Sequence, residues 1–123
     1  MITRNIELAT GDSWTVQLTL LRYNSDAPED ITHDTVYLTA KASASDSTPL
    51  IRVAVASHID PTHGVTEIGI TADQTAILPA TSVYDLVWRH KVSTDEWQVY
   101  TLVAGKIFAG VSVTALADKT ATT

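Results

Sequence analysis

The 123-residue chain carries 14 acidic and eight basic side chains for a net charge of −6, is 45% hydrophobic and 18% charged, and has no cysteine. One domain of this size buries roughly two-thirds of the surface its unfolded chain exposes. The acidity (pI near 4.9) disfavours nucleic acid and anionic membrane surfaces, which reward a basic face, and the lack of cysteine excludes disulfides and thiolate metal sites.

Met1 to Asn5 is followed by no apolar h-region, so no signal peptide is expected there, and no run approaches the roughly eighteen apolar residues that span a bilayer. Ile2, Ile6 and Leu8 alternate with polar residues in a first strand whose apolar face Arg4 interrupts. Gly11-Asp12 makes a turn. Trp14, Val16, Leu18 and Leu20 then share one face while Thr15, Gln17 and Thr19 take the other, a clean period of two.

A polar connection from Tyr23 to Asp34 holds Asp26, Glu29, Asp30 and Asp34. Val36, Leu38, Ala40 and Ala42 resume the alternation, and Ile51, Val53 and Val55 make a fourth strand. His58 to Gly64 turns the chain into a fifth strand, Val65 to Ile70. At Thr71 a helical turn begins, capped by Thr71 with Gln74 three residues on, and Pro79 ends this short turn near 71–78. Tyr84, Leu86 and Trp88 share a face in the sixth strand, and Ser93 to Glu96 closes a hairpin to a seventh, Trp97 to Ala104. Gly105 is expected to mark a bulge or kink before Lys106 to Val113. Seven to eight short strands at this spacing predict an all-β fold, an antiparallel sandwich or barrel occupying 1–113. Residues 114–123, mostly Ala and Thr, form a C-terminal extension that would fray unless a neighbouring subunit held it.

Candidate chemistry is thin. His58, Asp60 and His63 place two imidazoles and a carboxylate in one loop, a set that divalent metals accept, but Pro61 stiffens the loop and a polar turn accounts for the same residues. Asp26, Glu29, Asp30 and Asp34 lack the spacing of a calcium loop and read as a solvated connection. His33 or His90 with Asp85 and one of the many hydroxyls could be assembled into a triad on paper, as in any Thr-rich β chain. No G-x-S-x-G, phosphate-cradling loop or paired-carboxylate motif is present. The expectation is a protein without enzymatic activity, metal or cofactor.

The aromatics divide by phase. Trp14, Tyr84 and Trp88 fall with apolar neighbours and belong to the core. Trp97 and Tyr100 are an odd number of residues apart, so one of them faces outward, and Tyr37 is out of phase with Val36 and Leu38. An exposed aromatic can anchor a protein partner or stack on sugar. Thr15, Thr19, Thr35 and Thr39 make the outer faces weakly charged, suited to accepting another strand or sheet. Tyr37, Trp97 and Tyr100, with Thr114 and Leu116 in the extension, are the candidate partner-binding residues.

Four motifs in order resemble a family of small phage and prophage virion proteins: Gly11-Asp12-Ser13-Trp14, then Asp30-Ile31-Thr32 leading into Thr35 to Leu38, then Thr71 to Ala80 with Tyr84-Asp85-Leu86, and Tyr100 to Ile107. The likeness runs from about Gly11 to Val113; Thr81-Ser82-Val83 and His33-Asp34 depart from it where the family has glycine-containing turns. The resemblance implies an immunoglobulin-like sandwich. It also implies a virion subunit, made in the host bacterial cytoplasm, that attaches to other virion structural proteins in a tail, baseplate, fibre-attachment or capsid-decorating position. It further suggests a homo-oligomer such as a trimer, and the acidic charge leads to the expectation of no nucleic acid or membrane partner. A carbohydrate-binding module using Tyr37, Trp97 or Tyr100 is the alternative.

Overall fold

The alternation written in the sequence becomes the two faces of a β-sandwich. The computed structural model describes residues 1–22 and 25–111. They form β1 (Ile2–Thr3), β2 (Ile6–Ala9), β3 (Trp14–Thr19), β4 (Thr35–Lys41), β5 (Ile51–Val55), β6 (Val65–Ile70), α1 (Ala72–Ala76), β7 (Thr81–Ser93) and β8 (Glu96–Gly110). The larger sheet runs β1-β8-β7-β4-β5, with β2 also on β8, and the smaller sheet is the antiparallel pair β3-β6. A five-strand order with the first and last strands side by side, facing a pair, is an immunoglobulin-like sandwich. One part is not antiparallel: β1 and β2 run parallel to β8.

Val36, Leu38 and Ala40 are fully buried on β4 and stand opposite Trp88, Leu86 and Tyr84 on β7. Ile68 and Ile70 of β6 close the core from the other sheet, with Ile6 and Ile107 at the β2–β8 side. Each buried Val, Leu or Ile among them contributes about 1.5–3 kcal/mol of burial, so this layer dominates stability. On β3 the inward Trp14, Val16 and Leu18 are only half-buried, because the two-strand sheet leaves both of its edges open. Ala42, in phase with the β4 core, lies beyond the strand and is exposed.

The motif residues have local tasks. Thr32 donates through its amide (3.0 Å) and hydroxyl (2.5 Å) to Asp30 Oδ1, folding a tight turn that plants Ile31 in the core with no exposure. Thr71 and Gln74 form the reciprocal capping box of α1, each side chain accepting from the other's backbone amide. Buried Thr75 ties this corner to the β2–β3 turn: its hydroxyl accepts from the Gly11 amide at 3.0 Å and lies 2.7 Å from the Asp12 carbonyl. Gly64 ends a 3₁₀ turn over Pro61–His63 with φ of 72°, and a side chain there would meet the Leu20 carbonyl at 2.5 Å.

The last two expected strands are one strand, β8, and its irregularity is not at Gly105. Leu86 pairs with Val103 and Val87 with Thr101, so Leu102 is the extra residue of a bulge. The bulge switches the inward parity from even (Tyr100, Leu102) to odd (Val103, Ile107, Ala109), so that apolar residues on both sides of it reach the core. Gly105 marks a close approach instead. A Cβ there would lie 2.0 Å from the Arg4 carbonyl oxygen, where the chain crosses between β1 and β2. At that crossing the Arg4 amide donates to Ala104, the Tyr84 hydroxyl donates to the Arg4 carbonyl at 2.6 Å, and Asn5 Oδ1 takes the Lys106 amide. At the break that divides the expected first strand, both backbone groups of Arg4 are therefore hydrogen-bonded.

Candidate interaction surface

Cross-strand partners share a face, so the register assigns the outer surface of the larger sheet without ambiguity. Arg52 of β5 stands opposite Thr39, and Tyr37 of β4 opposite both Ala54 and Val87. Arg89, Lys91 and Asp85 of β7 stand opposite Val99, Trp97 and Ala104 of β8, and Lys106 opposite Val83. Two aromatic–cation stacks punctuate this face. The Arg52 guanidinium lies 5.4 Å from the centre of the Tyr37 ring, and that of Arg89 lies 3.9 Å from Trp97, with Lys91 Nζ at 5.6 Å. Beside the Tyr37–Arg52 stack runs an open groove of about 590 Å³, lined among others by Tyr37, Lys41, Arg52 and Asp85.

Tyr37 and Trp97 thus lie on the outer face, half-exposed. Tyr100 does not. Its ring packs against the core 5.2 Å from Trp88, and its hydroxyl donates to Gln98 Oε1 at 2.6 Å. Thr114 and Leu116 lie outside the described residues, as does the rest of the 114–123 extension.

A second constellation went unnoticed in the sequence. Asp34, read there as part of a solvated acidic connection, is 2% exposed. Its Oδ2 accepts from Trp88 Nε1 at 2.8 Å and from His90 Nδ1 at 2.6 Å, and its Oδ1 from the Lys91 amide at 2.9 Å. Its backbone carbonyl accepts from His58 Nε2 at 2.9 Å, while His58 Nδ1 meets the hydroxyl of fully buried Thr66 at 2.8 Å. A carbonyl only accepts, so Nε2 of His58 holds the proton. The network joins β4 and β7 to β6 of the opposite sheet; it is a polar clamp with each carboxylate oxygen engaged. Paired polar neighbours at 34, 58, 66, 88 and 90 leave no trace in any local pattern.

His58 and His63 do not converge. His58 is engaged with Asp34 and Thr66, whereas exposed His63 sits on the Asp60 carboxylate at 3.0 Å. Among the described residues no three His, Asp or Glu side chains are grouped as a metal would need. Two groups are shifted in their protonation. Thr32's hydroxyl, then its amide, hold Asp30 below the ordinary carboxylate range, and burial raises the Tyr84 phenol, partly countered by Arg4.

The fold and this surface define an immunoglobulin-like β-sandwich with a decorated outer sheet. No protein-family model and no curated protein matches the chain. Among solved structures it is similar to the N-terminal domain of ORF48 of phage TP901-1, with a TM-score of 0.51 and 10% identity over 89% of this chain and 95% of that one. It is also similar to the NK cell receptor NKp44, described as a triggering partner in natural cytotoxicity, with a TM-score of 0.46 and 16% identity over 91% and 100%. At these identities the likeness is one of fold.

Proposed function

We propose that this chain is a non-enzymatic bacteriophage structural protein that attaches to other virion subunits, in a tail, baseplate or fibre-attachment position or as a capsid decoration. The observation that carries the reading is the match in fold to a domain of a phage protein along nearly the whole of both chains. The virion-like motifs support it, since Asp30-Ile31-Thr32 and Thr71 to Ala80 each build a defined corner of the sandwich. Among the described residues no helix is long and apolar enough to cross a membrane. A homo-oligomer, such as a trimer, suits either position.

The carbohydrate-binding alternative is weakened by the stacks, since a guanidinium already lies on a face of both Tyr37 and Trp97, and Tyr100 is turned inward. The test is direct. Particles purified from a phage or induced prophage encoding the chain are analysed by mass spectrometry and labelled with an antibody to it. The chain at fixed stoichiometry and label at one particle location are expected; its absence from washed particles would sink the reading.

A further inference from the structure

On a chain of net charge −6, five of the eight basic residues stand on one surface. Lys41, Arg52, Arg89, Lys91 and Lys106 all project from the outer face of the larger sheet, against only Asp85 and Glu7. Five cations against two carboxylates give that face a net charge of +3, so the remainder of the chain carries −9. Among the described residues none of the five cations forms an ion pair; the pairs present are Arg22–Glu29, His63–Asp60, and His90 with Glu29 and Asp34. Like charges gathered on one face without carboxylate partners repel one another, a cost that an anionic partner removes.

We infer that this face is a docking surface for an acidic patch on another protein. Two features favour the carboxylates of a protein over a polysaccharide or a nucleic acid. The guanidiniums of Arg52 and Arg89 lie over aromatic rings, which restrains them and leaves N–H donors to grip carboxylates in pairs. Exposed apolar side chains lie among the cations, Val99 at 63% and Phe108 at 38%, and the mixture of Arg, Trp, Tyr and aliphatic residues is that of a protein interface. From Lys91 to the Lys41–Val83 pair the face is about 27 Å long, and four strands make it about 15 Å wide, half of what one partner gives a standard interface. This inference rests on the reading of the chain as an attachment subunit, and names the surface of attachment.

The test titrates the full chain, at low and at physiological salt, with three labelled probes: poly-L-glutamate, heparin and single-stranded oligothymidylate. Poly-L-glutamate is expected to bind best, more weakly as salt rises. Arg52→Ala with Arg89→Ala should weaken it about tenfold or more, because charge-assisted pairs are lost, while Arg4→Ala with Arg22→Ala, an equal loss of charge off the face, changes it less than about twofold. Circular dichroism and melting check the fold of each variant, and Arg52→Lys with Arg89→Lys, which keeps the charge but not the fork, should fall severalfold if the alanine pair does not fold. The inference is overturned by no binding of poly-L-glutamate, by equal losses in the two alanine pairs, or by tighter binding of heparin or oligothymidylate through the same arginines. It is equally overturned if light scattering shows an oligomer that the alanine pair dissolves, which assigns the face to a second copy. Failure here with the chain present in particles removes the surface and leaves the attachment reading; poly-L-glutamate binding with no chain in particles does the reverse.

Discussion

Asp34 belongs by sequence to an acidic connection whose other carboxylates, Asp26, Glu29 and Asp30, reach solvent. Its own carboxylate is 1% exposed and is surrounded by three donors. Replacing it by Ala strands the Trp88 indole N–H and the Lys91 amide, so Asp34→Ala is expected to cost about 3 kcal/mol in urea unfolding. A loss below about 1 kcal/mol would show that water replaces the carboxylate. Ser82 has the opposite sign: its hydroxyl is buried with no partner among the described residues, so Ser82→Ala should leave the urea midpoint unchanged or raise it. Tyr84 brings a pH dependence. Burial raises its phenol, so the folded state keeps the proton longer than the unfolded chain does. That contribution is whole below about pH 10 and is lost as pH rises through the folded value. Tyr84→Phe should lose about 1 kcal/mol at neutral pH with the bond to Arg4, yet decline less steeply above about pH 10. Parallel melting profiles from pH 8 upward would refute this assignment. Asp30 acts at the other end: its lowered value gives a contribution present above the ordinary carboxylate range and lost as pH falls through the folded value.

Among the elements, β8 is the one whose reading changes most. Its 15 residues hold the bulge at Leu102 and the contact of Gly105 with Arg4, and both β1 and β2 are hung on it. Gly105→Ala puts a methyl group into the Arg4 carbonyl, which must move out of its bond from the Tyr84 hydroxyl and disturb the neighbouring bond from the Arg4 amide to the Ala104 carbonyl. A loss of roughly 2–3 kcal/mol is expected. Amide exchange should accelerate in 2–9 while β4 and the inner part of β7 stay protected; uniform acceleration would mean that β1 and β2 do not open separately. By contrast, α1 agrees with its sequence in each detail, because a capping box lies within four residues and needs no distant partner.

For the whole molecule, the two sheets divide the work. The two-strand sheet closes the core, and the larger sheet carries a core layer inside and a charged, aromatic layer outside. If the extension is an assembly device, deleting Thr114–Thr123 should lower incorporation into particles, read by gel, while the melting temperature stays within a few degrees. Unchanged incorporation would remove the extension from the interface. Light scattering after size exclusion of the same two chains separates the cases: a trimer lost on deletion places the extension between copies, and a monomer in both directs the search to another subunit.

The sequence by itself determined the all-β class, the faces of β3, β4 and β7, the capped corner and the outward placement of Tyr37, because alternation and capping are local properties of consecutive residues. Which of Trp97 and Tyr100 faces out was left open, since a parity argument fixes only their opposition; the register with Lys91 and Trp88 decided it. The parallel pairing of β1 and β2, the merger of two strands across Gly105, the bulge at Leu102 and the burial of Asp34 also came only from the tertiary structure. So did the gathering of Lys41, Arg52, Arg89, Lys91 and Lys106 on one face. Each depends on which strands lie side by side and in what register, and hydrogen bonds between backbones fix that across tens of residues where no pattern in consecutive residues can record it.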